Sequence, residues 1–356
     1  MMNPIWKNEE QAGVSLKNLY RRYGYIPYKM SRFEEYDLYV RNKDFLVSDQ
    51  IITFSDRSGR LLALKPDVTL SIVKNAPEET GVVQKVYYHE NVYRDYREIP
   101  QAGLECVGDL GDYEIAEVVL LAAKSLQLLG GSWVLDISHM GLLAAVLEDS
   151  GLSRENQKQA MEYLHRKNYH QLKALCDGEP AWEKLSAIAA CRGGREALTQ
   201  LETVLTTEAE QQALDQLKGL WTILEETGCA DSIRLDFSVG NNMRYYSGVV
   251  FRGYLEGIPA SVLSGGQYDK LPRKMGRKAK AIGFAVYLDL LENRNREEDA
   301  FDVDTLILHD GSADPLVLTA AAEKAAAQGT VLVTRELPKV RNWKQLLRFE
   351  KGAWVK

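Results

Sequence analysis

The chain has 356 residues, 45% of them hydrophobic, with 44 Lys and Arg against 50 Asp and Glu for a formal charge of −6, enough to bury a large core with smaller satellites. Its apolar runs are too short for a membrane helix, its start lacks the basic-then-apolar build of a secretory signal, and its net charge disfavours a broad nucleic-acid footprint, so a cytoplasmic location is expected. Cys106, Cys176, Cys191 and Cys229 form no CxxC pair and the five histidines show no ligand spacing; the expectation is buried thiols, no disulfide, no metal and no cofactor.

In chain order, Leu16, Leu19, Tyr20 and Tyr23 form a stripe at helical spacing that stops at Gly24. Ile51 to Phe54, Leu61 to Leu64 and Val82 to Tyr88 read as strands, with a hairpin turn over Asp56 to Gly59. Tyr113 to Leu129 predicts an amphipathic helix closed by Gly130 and Gly131, followed by a strand over Trp133 to Ile137. From about Leu143 to Gly228 the pattern turns to helices only, including Leu214, Leu217, Trp221 and Leu224 on one face behind a Thr207 to Glu210 capping box. Strand signals resume at Ile233 to Phe237, Gly248 to Tyr254 and Ala260 to Leu263; a charged stretch, Glu292 to Asp299, reads as a helix end. The tail reads strand (Thr305 to His309), helix (Pro315 to Ala327), strand (Thr330 to Thr334).

These signals predict an α+β fold, an antiparallel sheet flanked by helices. Residues 1–142 and 229–299 form a discontinuous core, 143–228 a helical insertion and 300–356 a short α/β unit.

Four segments then resemble histidyl-tRNA synthetases, which are class II aminoacyl-tRNA synthetases, in that family's order. FSDRSGRLLALKPDVT (54–69) is similar to the turn followed by Leu-Arg-Pro-Glu/Asp-x-Thr, and VYRDYREIPQAGLECVG (92–108) to the second class II motif. RYYSGVVF (244–251) is similar to Asp-Tyr-Tyr-Thr-Gly-x-x-Phe, and LSGGQYDKL with AIGFAVYLDLL (263–291) to the Gly-Gly-Arg-Tyr-Asp strand and the third motif. The resemblance implies the class II synthetase-like fold.

A histidine site must offer acceptors to an α-ammonium and satisfy two imidazole nitrogens in a mostly apolar cleft. By resemblance, Asp67, Thr69 and Gln101 match positions that hold the ammonium, Glu105 and Tyr246, with Tyr245 beside it, match those that read the ring, and Arg94 matches the arginine that meets the carboxylate and the ATP phosphate. Asp67 and Thr69, after Pro66, also fit a plain capping or strand-ending role. On a strand, Tyr245 and Tyr246 would point to opposite faces, leaving one for the ring and one for the core. Glu105 inside the apolar run LECV needs a buried partner, which a cationic ligand would supply.

The synthetase pattern fails where ATP chemistry needs fixed cations around the α-phosphate. Asn241 stands at the position of the arginine before the Tyr-Tyr run, Leu290 at that of the adenine-stacking arginine, and Lys65 at that of the Leu-Arg-Pro arginine. Only Asp95 and Tyr96 separate Arg94 from Arg97, where the family carries a longer loop over ATP. Each lost transition-state donor costs about 2.7–4 kcal/mol. No catalytic residue is therefore assigned.

Such a chain resembles the regulatory subunits of short-form ATP phosphoribosyltransferase. The resemblance implies L-histidine as ligand, feedback control of the first step of histidine biosynthesis, a homodimeric core, and a hetero-oligomer with the short catalytic subunit, without tRNA or membrane as partners. Alternatives are a divergent histidyl-tRNA synthetase, an amino-acid ligase paralogue or a free-standing sensor. Ser31 departs from the proline that the family's first motif places at its dimer interface, and the tail is shorter than the family's anticodon-binding domain. The basic run Arg273, Lys274, Arg277, Lys278, Lys280 has no family role; a solvated loop is its plainer reading.

Overall fold

The computed structural model describes residues 8–46, 50–76, 81–176, 181–240, 245–291, 301–339 and 341–355. The stretch Glu292 to Asp299 and Asn241 lie outside them. The chain divides into two compact units, one of residues 13–290 and one of the described residues from 291 onward with residues 8–12.

Before the main sheet of the larger unit come helix α1 (Asn8–Arg22), strands β1 (Ile26–Pro27) and β2 (Phe33–Glu35), helix α2 (Tyr36–Arg41), strands β3 (Thr53–Ser55) and β4 (Leu61–Leu64), and helix α3 (Thr69–Lys74). β2, β4 and β3 form a small antiparallel sheet. Its β3–β4 turn forms where the sequence placed it: Asp56 Oδ1 accepts the Ser58 and Arg60 amides, both at 2.9 Å, and Gly59 takes φ +81°.

The long hairpin of β5 (Val83–Arg94) and β6 (Arg97–Gly108) turns on Asp95 and Tyr96 alone, at φ 52° and 59°. Positive φ at both central residues is the signature of a two-residue turn whose twist matches the strands. Helix α4 (Asp112–Leu129) and strand β7 (Trp133–His139) follow. Helices α5 (Met140–Asp149), α6 (Arg154–His165), α7 (Tyr169–Leu175) and α8 (Ala181–Ala190) come next, then strand β8 (Arg192–Gly193) and helices α9 (Arg195–Glu202) and α10 (Glu208–Glu226). The predicted capping box opens α10: Thr207 Oγ1 accepts the Glu210 amide and Glu210 Oε2 accepts the Thr207 amide. The expectation of helices only is corrected by β8, a two-residue strand that pairs with β9 (Ile233–Asp236) and exists through that pairing.

Strands β10 (Val249–Leu255), β11 (Leu263–Gln267) and β12 (Lys280–Tyr287), with helix α11 (Lys270–Lys274) before β12, complete a nine-stranded sheet in the order β1-β5-β6-β12-β11-β10-β7-β9-β8. It is antiparallel except for the β1–β5 and β7–β9 pairs. β11 begins at Leu263, where the sequence reading ended that strand. One face is covered by α1 and α4: Tyr20 meets Ser125 at 3.1 Å and packs on Phe284, and α4 approaches so closely that a Cβ at Gly253 would lie 2.7 Å from Leu126. The opposite face carries the polar side chains described below.

The smaller unit realises the predicted strand–helix–strand as β13 (Val303–His309), α12 (Pro315–Ala326) and β14 (Val331–Thr334). Asp314 caps α12 by accepting the Leu316 amide at 2.8 Å, ahead of Pro315. Two strands escaped the sequence reading, β15 (Trp343–Glu350), parallel to β13, and β16 (Ala353–Val355). In β15 the charges Lys344, Arg348 and Glu350 break the apolar alternation. All four cysteines are buried outside any disulfide, and among the described residues no helix is long and apolar enough to cross a membrane.

Candidate functional site

On the open face of the large sheet lies a cavity of about 580 Å³, and Asp67, Thr69, Arg94, Gln101, Glu105, Tyr245 and Tyr246 all line it. The topology explains the convergence. Gln101 and Glu105 alternate onto the same face of β6, Arg94 ends the neighbouring β5, Asp67 and Thr69 open α3, and the two tyrosines precede β10.

Glu105 is 2% exposed. Thr69 Oγ1 donates to its Oε1 at 2.7 Å and the Tyr268 hydroxyl donates to its Oε2. Burial, with the charge of Asp67 adding to it, pushes this carboxyl up to about 8 against the pull of both hydroxyls. Space for it exists because Gly283 faces it on β12, where any Cβ would overlap the carboxylate. Asp67 is also raised by burial, opposed by the Leu70 amide, which donates at 2.8 Å, and by the charge of Arg94. Its capping role and its place in the cavity therefore coexist: one oxygen secures the start of α3 while the residue lines the wall.

The expected split of the tyrosine pair is corrected. Tyr245 and Tyr246 lie in the turn before β10, so strand alternation does not govern them. Both line the cavity, with ring centroids 4.7 Å apart at 74°. Tyr268 lies 5.5 Å from Tyr245, and Phe45 closes the cluster at 5.8 Å. Burial raises the hydroxyls of Tyr88, Tyr245 and Tyr268 well above the ordinary tyrosine value, keeping them neutral donors. Arg94 Nε and Gln101 Nε2 are buried without a hydrogen-bond partner among the described residues, so both are donors suited to an acceptor such as a carboxylate.

Sequence reasoning missed Tyr268 and Arg252, which also line the cavity. Tyr268 stood inside the LSGGQYDKL segment, and the buried carboxylate's need for a second donor was the available signal.

The phosphate side differs. Lys65 is 2% exposed, pairs with Glu90 and does not line the cavity. Gln267 occupies the arginine position of Gly-Gly-Arg-Tyr-Asp and donates to Asp269 at 2.7 Å. Leu290 sits in a 3-10 turn, Leu288–Leu291, with an apolar side chain. The cavity can hold a ligand that pairs a cation and a flat, hydrogen-bonding ring with one buried carboxyl, one half-buried carboxyl and a tyrosine cluster. Its basic lining residues are Arg94 and Arg252, and Lys65, Gln267 and Leu290 are not part of its wall.

A family model described as histidyl-tRNA synthetase matches residues 2–291. The ATP phosphoribosyltransferase regulatory subunit of Bacillus subtilis (strain 168) is 27% identical over 360 residues, covering 97% of this chain and 91% of that one. A crystal structure from Bacillus halodurans C, described as an ATP phosphoribosyltransferase regulatory subunit/histidyl-tRNA synthetase, superposes with a TM-score of 0.77 at 25% identity, over 97% of this chain and 95% of that one. A chain of the ATP phosphoribosyl transferase (HisG:HisZ) complex from Thermotoga maritima shares the fold at 18% identity, with a TM-score of 0.63 over 79% of this chain and 97% of that one.

Proposed function

The chain belongs to the histidyl-tRNA synthetase family, and from that premise we propose that it acts as the regulatory subunit of ATP phosphoribosyltransferase, binding L-histidine in the cavity around Glu105 and performing no synthetase chemistry. One observation carries this reading: a cavity brings together the residues that suit an amino acid, Arg94 included, while Lys65 is paired with Glu90 outside its lining and Leu290 stands where the synthetases have an adenine-stacking arginine. The B. subtilis and B. halodurans relatives, matched over nearly the whole chain and named as such regulatory subunits, support it.

In this reading Glu105 and the tyrosines read the ring, Asp67 and Thr69 hold the ammonium, and Arg94 with Gln101 meets the carboxylate. Gln101 is thereby assigned by its donor rather than by the family's ammonium role. The partner is the short catalytic subunit, and the core pairs with a second copy of itself. Histidine inhibits by binding one conformation of the assembly more tightly than another.

The test is phosphoribosyl transfer to ATP by the catalytic subunit alone, with this chain, and with added histidine. Activity that rises on mixing and falls with histidine supports the proposal. Unchanged activity on mixing rejects the regulatory role, and histidine-dependent pyrophosphate exchange by this chain alone would instead make it a synthetase or ligase.

A further inference from the structure

The basic run from Arg273 to Lys280, unassigned by the family resemblance, does not lie free. Lys274 ends α11, places Nζ 3.4 Å from Asp44 and 5.2 Å from the Phe45 ring centroid, and so bears on the 3-10 turn Lys43–Phe45. That turn and the residue after it supply Phe45 and Leu46 to the cavity wall, and Phe45 packs against Tyr245. Three residues on, Arg277 donates to the carbonyls of Lys74, at 2.5 Å, and Ala76, at the far end of the helix whose first residue is Thr69. Lys280 donates to the Leu110 carbonyl at 3.0 Å. α11 itself begins two residues after Tyr268, the donor to Glu105. One short segment thus bears directly on one wall of the cavity, holds the end of α3 remote from Thr69, and is joined by the chain to Tyr268 in another wall.

We infer that residues 274–277 form a clasp that sets how tightly the cavity closes on its ligand, with Lys274 and Arg277 as positioning residues that never touch that ligand. The Phe45 turn is short and its main external anchor from this segment is Lys274. A partly exposed ion pair and an exposed cation–π contact are both weak interactions. Lys274 therefore tunes the closed state without being needed to fold it.

The inference rests on the histidine reading for its ligand but not for its geometry, and the experiment separates the two. Leu46→Cys places a thiol in the cavity wall of a protein whose native cysteines are buried. In the full chain, Lys274→Met on that background should speed maleimide labelling of the introduced thiol by roughly three- to tenfold, Lys274→Arg should stay near the parent rate, and the melting temperature should hold. Calorimetry on the same variants without the reporter should show histidine affinity falling in the same proportion for Lys274→Met and Arg277→Met. Labelling unchanged in Lys274→Met overturns the clasp. Labelling that responds in a parent protein that binds no histidine keeps the clasp and removes the histidine reading instead.

Discussion

Two groups of positions matched by the same family pattern, the amino-acid side that lines the cavity and the phosphate side at Lys65, Gln267 and Leu290 outside its lining, differ in how their polar groups are satisfied. On the amino-acid side, Glu105 is buried and Asp67 half-buried, and both are hydrogen-bonded and raised in pKa, so the protein bears a desolvation that a cationic ligand would relieve. On the phosphate side the one basic residue kept from the Leu-Arg-Pro segment, Lys65, is satisfied internally by Glu90. Polar groups left in tension by the fold mark where a ligand is expected, and polar groups already satisfied are not free to take one.

The largest effect should come from Glu105→Gln. The substitution keeps the shape and removes the charge, so histidine affinity should fall by about ten- to a hundredfold, since a hydrogen bond to a charged group is worth roughly 1.5–3 kcal/mol. Titration calorimetry showing parental affinity would break the contrast between the two sides. Asp67→Ala should weaken binding by about tenfold and also lower thermal stability by about 1 kcal/mol, because the same carboxyl caps α3. A stability loss with unchanged affinity would reduce Asp67 to its capping role.

The pH dependence is smaller and sharper. Glu105 is raised from 4.5 to about 8, so in the free fold it stays protonated where the unfolded chain is ionised. The fold binds the extra proton, and this carboxyl's contribution to stability therefore declines as pH rises from about 4.5 to about 8, then levels. Binding runs the other way, because a ligand N–H needs the carboxylate. Between pH 7 and 8 the ionised fraction rises about fivefold, and histidine affinity should rise by about that factor. Calorimetry at the two pH values checks it, and the increment should vanish in Glu105→Gln.

Much of this was legible in the sequence, for identifiable reasons. The seven residues that line the cavity were picked out by resemblance to the family's motifs, and of these only Glu105, a carboxylate inside LECV, also stood out on chemistry alone, since Asp67 and Thr69 fitted a plain cap equally well. α4 and α10 were found from apolar periodicity and caps, which are local. What was missed depends on distant partners. Tyr268 reaches Glu105 across 163 residues of sequence, Lys65 is neutralised 25 residues away, and β8 is held by β9. Tyr245 and Tyr246 both face the cavity because β10 starts only at Val249, leaving them in the turn before it. No local rule contains that.

The smallest expected effect is on the phosphate side, and it is informative because it is small. Leu290→Arg, alone or with Gln267→Arg, restores the family's residue types without restoring their setting. The Asp95–Tyr96 turn remains too short to carry a loop over ATP, and Lys65 remains bound to Glu90. Electrostatic catalysis depends on donors already oriented toward the developing charge, so an added guanidinium with no loop to exclude water contributes little. Histidine-dependent pyrophosphate exchange should therefore stay at background in both variants while histidine affinity stays at the parental value. Exchange appearing in either one would mean that the phosphate side is a synthetase site lacking one cation, and the opposition between the two sides would reduce to single side chains.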